Sequence, residues 1–316
     1  MEKKDLKIVF MGTPEFAVGT LSALVEGGYN VVGVVTQPDK AVGRHHDTLQ
    51  APPVKQYAEA HGLPVLQPER MKDEQFLAEL ASWQADVQVV VAFRMLPEVV
   101  WSMPRWGTFN VHASLLPQYR GAAPIQWAIA NGDKVTGVTT FMLDHEIDTG
   151  RIIMQKEQPL PDDADAEWLY ERLMKLGAEA AVETLDLLIE GEGSVPTTAQ
   201  AELQAGELRP APKIFKQTCC LDFTLKAKQV YDFIRAMSPH PGAWTMIDGG
   251  QGGQQVLKVY KSELTDKPSA APAGDLVVEG RNLYVCCSDL MLRLVEVQPA
   301  GKRRMAAADF INGWRK

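Results

Sequence analysis

The apolar pattern of this chain changes character once, and the change decides what it can fold into. Gly191 to Pro212 (GEGSVPTTAQAELQAGELRPAP) has no apolar period and ends in prolines, the composition of a linker. Before it, short apolar runs alternate with helical segments, the pattern of an α/β sheet domain. After it, short strands follow one another without helices between them. A chain of 316 residues has room for two cores. The reading is therefore a first domain over 1–190, a linker over 191–212 and a second domain over 213–316.

The first domain opens as a βαβ unit. Leu6 to Met11 (LKIVFM) reads as a buried strand that ends at Gly12-Thr13-Pro14. Pro14 suits the start of a helix whose apolar positions are Phe16, Leu21, Leu24 and Val25, and Gly27-Gly28 stops it. Val31 to Thr36 is a second buried strand. The glycine fingerprint GxGxxG is absent, which argues against a dinucleotide cofactor. Gln37 to Pro53 reads as a long loop carrying Lys40, Arg44, His45 and His46, and loops of that length are often functional. Helices follow at 54–60, 73–83 and 97–100, with strands at 63–66 and 86–93. A long helix spans Asp165 to Glu190. From Glu157 to Glu192 there are 11 acidic residues against 2 basic ones, which describes an exposed acidic face.

Beyond the linker, one helix at 225–237 and a rigid SPHPGA turn precede strands at 244–247, 255–260, 275–278, 283–287 and 290–297. Five short strands without helices predict a small barrel, and OB-type barrels commonly bind nucleic acid. Lys302-Arg303-Arg304 follows the last strand. The formal charge of −8 conceals an asymmetry: residues 1–210 carry −13 and residues 211–316 carry +5. Such a split hints at a polyanionic partner for the second part, although a solvated surface explains it equally well.

The chemistry concentrates in Gly107 to Ile129 (GTFNVHASLLPQYRGAAPIQWAI). It begins as a strand, and Asn110 and His112, two apart, share one of its faces. SLLPQYRGAAP cannot continue a strand, and a helix follows from Ala123. A further strand, Gly137 to Leu143, runs into Asp144-His145-Glu146-Ile147-Asp148-Thr149-Gly150, four ionisable groups within five residues. If the reaction is acyl transfer to an amine, Asn110 and an N–H of His112 can donate to the oxygen that gains charge, at ~3–4 kcal/mol per donor. Asp148 beside the imidazole can hold it cationic and take or relay the proton shed by the amine. No Ser or Cys stands in a nucleophile motif, so transfer is direct. Taken singly, a strand histidine is commonly a satisfied core residue and an Asp-Thr-Gly turn is commonly only a turn. Aspartic proteases also use Asp-Thr-Gly, but need two copies, and this chain has one.

No stretch approaches the ~20 apolar residues of a membrane helix, and MEKKDLKIVFMG lacks a signal-peptide core. Cys219-Cys220 and Cys286-Cys287 have neither zinc nor disulfide-framework spacing. They read as buried thiols in a reducing cytoplasm, with no metal expected. Nothing asks for more than a monomer.

NVHASLLPQYRGAAPIQWAI closely resembles the signature of the folate-dependent formyltransferases. The resemblance recurs in GTPEFAV, VVGVVTQPD, PVKQYAEAHGLPVLQP, IDTG, RAMSPHPGAW and VQPAGKRRM, so it runs through nearly the whole chain. It implies a Rossmann-like formyltransferase domain with a mostly parallel sheet and a C-terminal OB-like domain. It implies transfer of a formyl group from 10-formyltetrahydrofolate to the α-amino group of methionine on initiator tRNA. Asn110, His112 and Asp148 match the family's catalytic trio, and Ser114, Leu115, Leu116 and Pro117 its folate-binding segment. Backbone at Val91, Ala92 and Phe93 and at Leu143, Asp144 and Ile147 would hold the pterin. Arg44, Lys302, Arg303 and Arg304 would meet tRNA phosphates. Two positions depart from the family's pattern. His45-His46-Asp47 follows Gly43-Arg44 where lysines are common, and Phe93-Arg94 replaces a tyrosine-glycine pair. Arg94 is open to three readings: the folate glutamate tail, the tRNA, or a surface arginine. Relatives that formylate an amino-sugar nucleotide share the first signature, and VQPAGKRRM with the positive second domain counts against them. A non-catalytic RNA-binding protein would not need the intact trio.

Overall fold

The computed structural model describes residues 1–42, 48–203, 206–249 and 253–314. They form two compact units, Met1–Gly121 with Thr136–Gln158 and Tyr170–Pro210, and Ala122–Val135 with Pro159–Leu169 and Ala211–Lys316.

The first unit begins with β1 (Lys7–Gly12), α1 (Glu15–Glu26) and β2 (Asn30–Val35). The stretch read as one long loop instead carries a short hairpin, β3 (Lys40–Val42) against β4 (Thr48–Gln50). The order continues α2 (Pro53–Ala60), β5 (Val65–Leu66), α3 (Glu74–Ser82), β6 (Val87–Val91), α4 (Glu98–Trp101) and β7 (Thr108–His112). After α5 (Pro124–Ala130), which belongs to the second unit, come β8 (Val135–Met142), β9 (Ile152–Pro159) and α6 (Ala166–Glu190). Seven strands form one sheet in the order β5-β2-β1-β6-β7-β8-β9. The first five are parallel, and β8 runs antiparallel to β7. The parallel strands are apolar along their length because both faces are covered: β6 is buried at every position. The chain turns back at β1, which lies between β2 and β6, so the carboxyl ends of β1, β6 and β7 open onto a topological switch point, where open α/β sheets place ligands.

The long helix α6 fixes one face of that sheet. Leu173, Ala180, Ala181, Leu185 and Leu188 are buried along one stripe, whereas Leu187 is 38% exposed. Gly177 lets the helix approach β7, since a Cβ there would lie 3.1 Å from Val111 Cγ1. Thr140 of β8 hydrogen-bonds Thr184 at 2.8 Å in the same interface.

In the second unit, α7 (Ala227–Met237) packs on an antiparallel sheet of β10 (Ala243–Asp248), β11 (Gln254–Glu263), β12 (Leu276–Glu279), β13 (Asn282–Cys286) and β14 (Met291–Pro299). The strand order is β10-β11-β14-β13-β12, and β15 (Met305–Ala306) pairs with β14. Register shifts around Lys261 curl the sheet into a half-barrel. A short α8 (Ala307–Gly313), unforeseen in the sequence, covers it with buried Ala307 and Phe310. Cys219, Cys286 and Cys287 are buried as expected, and burial pushes the Cys287 thiol up to about 12. Cys220 is exposed, a correction: adjacent residues leaving a turn into extended chain point to opposite sides. No helix among the described residues is long and apolar enough to cross a membrane.

The burial stripe of α6 is testable. Leu173→Ala should cost about 2–5 kcal/mol in urea unfolding, and Leu187→Ala about 0.5 kcal/mol or less.

Candidate functional site

The site is built on β7. Val111 faces α6, so Asn110 and His112 share the opposite face. The Asn110 Oδ1 is buried and has no hydrogen-bond partner among the described residues. An unsatisfied buried acceptor costs about 1–3 kcal/mol, so this orphan marks a place where a ligand can supply the missing donor.

His112 is 7% exposed. Its Nε2 lies 2.8 Å from the carbonyl oxygen of Tyr119. A carbonyl only accepts, so Nε2 carries a proton, and the tautomer of the neutral ring is thereby set. Its Nδ1 lies 3.9 Å from Asp148 Oδ2. That separation is an ion-pair distance rather than a direct hydrogen bond, and it leaves room to be closed by a small movement or bridged. Either N–H of His112 looked available to an oxyanion in the sequence. The geometry leaves Nδ1 alone.

Asp148 is held from several directions. Its Oδ2 accepts the Gly121 N–H at 2.9 Å. Its own backbone has φ +55°, a left-handed conformation that costs a residue with a Cβ on the order of 1–2 kcal/mol. Gly121 has φ +124°, open in practice only to glycine. Gly150, two residues after Asp148, passes so close to β8 that a Cβ would lie 1.7 Å from the Met142 carbonyl oxygen.

Of the expected folate segment, Ser114, Leu116 and Pro117 are buried and Leu115 is half-buried. Ser114 Oγ donates to the Gln118 carbonyl at 2.7 Å. Thr139 Oγ1 donates to the Ser114 carbonyl and accepts the Leu116 N–H, while Gln155 Nε2 donates to the Leu116 carbonyl. These bonds fix the segment against β8 and β9. Val91 is buried, Ala92 is exposed with φ +47°, and Phe93 and Leu143 pack against one apolar cluster that includes Met11, Val90 and Leu96. Asp144 Oδ1 accepts from the Glu146 N–H and the Thr149 hydroxyl, closing the turn in which Ile147 is 61% exposed. Arg94 is no surface arginine: its guanidinium donates to the carbonyls of Pro68 and Glu69, and burial lowers its pKa.

Arg44 lies outside the described residues, as does the His45-His46 pair. Lys302, Arg303 and Arg304 are exposed in the second unit, after β14. Arg304 stacks over the Tyr260 ring at 3.5 Å and lies 3.9 Å from Glu296. Among the described residues no group of three or more His, Cys, Asp or Glu is placed to hold a metal ion.

The sequence reading missed Tyr119, whose carbonyl orients His112, and Gln200. Gln200 is 4% exposed and belongs to the segment taken as a linker. Its Nε2 donates to the carbonyls of Asp148 and Gly150 at 2.8 and 2.9 Å, and its Oε1 accepts two N–H groups of Arg120 at 3.0 and 2.6 Å. Backbone carbonyls leave no trace in residue type, and a glutamine without an apolar period around it gives no signal.

A family model described as formyl transferase matches residues 6–185, and one described as formyl transferase, C-terminal domain, matches residues 213–315. A protein of Parabacteroides distasonis named methionyl-tRNA formyltransferase is 55% identical over 100% of this chain and 98% of its own. One of the same name from Bacteroides fragilis is 53% identical over 99% and 97%. Among solved structures, an N-formyltransferase from Helicobacter canadensis, in complex with folinic acid and dTDP-3-aminofucose, superimposes with a TM-score of 0.63. It is 18% identical over 93% of this chain and 99% of its own, a likeness of fold.

Gly150→Ala tests the packing under Asp148. The added methyl meets backbone rather than a flexible side chain, so the urea midpoint should fall by the equivalent of roughly 1–3 kcal/mol with the m-value unchanged. A wild-type midpoint would contradict the close approach.

Proposed function

The chain belongs to the formyl transferase family, and on that premise we propose that it transfers a formyl group from 10-formyltetrahydrofolate to the α-amino group of methionine on initiator methionyl-tRNA. The observation that carries the acceptor is that proteins named methionyl-tRNA formyltransferase match the chain along essentially its whole length at more than half identity. The amino-sugar alternative rests on a likeness of fold alone.

The catalytic roles fall to Asn110, His112 and Asp148. The donor supplies a one-carbon unit at the amide oxidation level. Asn110, whose amide makes no bond at its buried oxygen, donates N–H to the formyl oxygen as negative charge gathers there. With Nε2–H committed to Tyr119, Nδ1 is the ring nitrogen left to face the reacting groups, 3.9 Å from the Asp148 carboxylate. Asp148 receives the proton the amine sheds, directly or through one water. The bond from the formyl carbon to N10 of the folate breaks, the bond to the methionine nitrogen forms, and one proton passes from that nitrogen to N10. An α-amino group titrates near ~8, and an ester neighbour lowers this, so positioning matters more than a strong base.

Ser114, Leu115, Leu116 and Pro117 line the folate, with pterin contacts from backbone at Val91, Ala92 and Phe93 and at Leu143, Asp144 and Ile147. The orphaned Asn110 oxygen fits such a substrate, which carries N–H donors. Residues 1–190 form the catalytic domain, 191–212 the connection and 213–316 the tRNA-binding domain, in a cytoplasmic monomer. Arg44, Lys302, Arg303 and Arg304 meet tRNA phosphates, with Arg304 braced by Tyr260.

The direct test supplies 10-formyltetrahydrofolate with methionyl-tRNA in one reaction and with an amino-sugar nucleotide in another. Formylmethionyl-tRNA is the expected product, and formylation of the sugar alone would overturn the reading. Asn110→Ala and Asp148→Asn should each lower kcat by about 10²–10³ while circular dichroism stays unchanged. Reversing charge at Lys302 and Arg303 should raise the tRNA KM, weaken its salt dependence and leave kcat nearly unchanged. An unchanged KM would remove this patch from the tRNA face.

A further inference from the structure

Four residues from three segments close a ring of hydrogen bonds around Asp148. Arg120 donates through Nε and Nη2 to Gln200 Oε1. With its oxygen held by the guanidinium, Gln200 must present its NH₂ to the other side, and both of its protons meet acceptors there, the carbonyls of Asp148 and Gly150. Asp148 in turn sends its Oδ2 back to the N–H of Gly121, the neighbour of Arg120. The ring therefore grips Asp148 at its carbonyl and at its carboxylate. That residue stands at φ +55°, so without the grip its backbone would relax toward commoner conformations and swing the carboxylate away from His112. Gln200 is buried, comes from a segment far from β7 in sequence, and among the described residues makes no hydrogen bond to the side chains of Asn110, His112 or Asp148.

We propose that Gln200, oriented by Arg120, is a positioning residue for the Asp148 carboxylate, acting on the transfer step and not on substrate binding. The proposal rests on the catalytic reading of Asp148 given above. Two features favour a positioning role over simple adhesion. Among the described residues the glutamine side chain bonds the Asp-Thr-Gly turn and Arg120, and the two carbonyls it holds are those of Asp148 itself and of Gly150. A misplacement of about 1 Å in a reacting group lowers rates by up to ~10².

The test uses the full-length protein with 10-formyltetrahydrofolate and methionyl-tRNA, and the variants Gln200→Ala and Gln200→Glu. The glutamate variant can still pair with Arg120, so it keeps the packing, but it presents only acceptors to the two carbonyls. Both variants should lose about 10- to 100-fold in kcat, with KM for either substrate within about twofold of wild type. In an Asp148→Asn background, Gln200→Ala should change the residual single-turnover rate by less than about twofold, because a positioning residue has nothing left to position. Wild-type kcat in Gln200→Glu would overturn the proposal. So would full multiplicative losses in the double variant, or a fall in kcat matched by rises in both KM values. If the wild-type protein itself failed to formylate methionyl-tRNA, the function reading would fall first, and that outcome is separate from active wild type with equally active Gln200 variants.

Discussion

One hydrogen bond organises the site: the Nε2–H of His112 on the carbonyl of Tyr119. It fixes the ring plane and assigns the proton of the neutral imidazole to the nitrogen facing away from Asp148. The remaining nitrogen faces the carboxylate at 3.9 Å. The proposed chemistry depends on this arrangement, because a ring free to rotate would offer either nitrogen and would commit neither.

The scaffold explains why such a bond is available. Parallel strands bring the carboxyl end of β7 beside that of β6, next to the strand-order reversal at β1. Helix α6 covers the Val111 face, leaving the Asn110 and His112 face for a ligand. The chain then turns sharply, with Tyr119 at φ +60° and Gly121 at φ +124°, and this return puts the Tyr119 carbonyl on His112 and the Gly121 N–H on Asp148. A short stretch of irregular backbone thus orients both titratable groups, and Thr139 and Gln155 hold its first half against the sheet.

Much of this was readable from residues. The buried strands announced themselves as apolar runs, and the spacing of Asn110 and His112 alone put them on one face. The antiparallel pairing of β7 with β8 came only from the structure. Other features had no signal to read. The hairpin of β3 and β4 is three residues a side and lacks alternation. The helix α8 is too short to show a period. Arg94 also ties down the carbonyls of Pro68 and Glu69, a bond to backbone that no residue type records. Gln200 was hidden for the same reason, in a segment whose composition says only that it is not a strand or a helix.

The account's central claim concerns a single proton, so nitrogen NMR of the labelled histidine ring tests it most directly. In the neutral ring of His112, Nε2 should show the chemical shift and one-bond proton coupling of a protonated nitrogen, and Nδ1 should show those of a bare acceptor. The opposite tautomer, with the proton on Nδ1, would mean that the Tyr119 carbonyl does not hold the ring, and the proposed pairing with Asp148 would lose its basis.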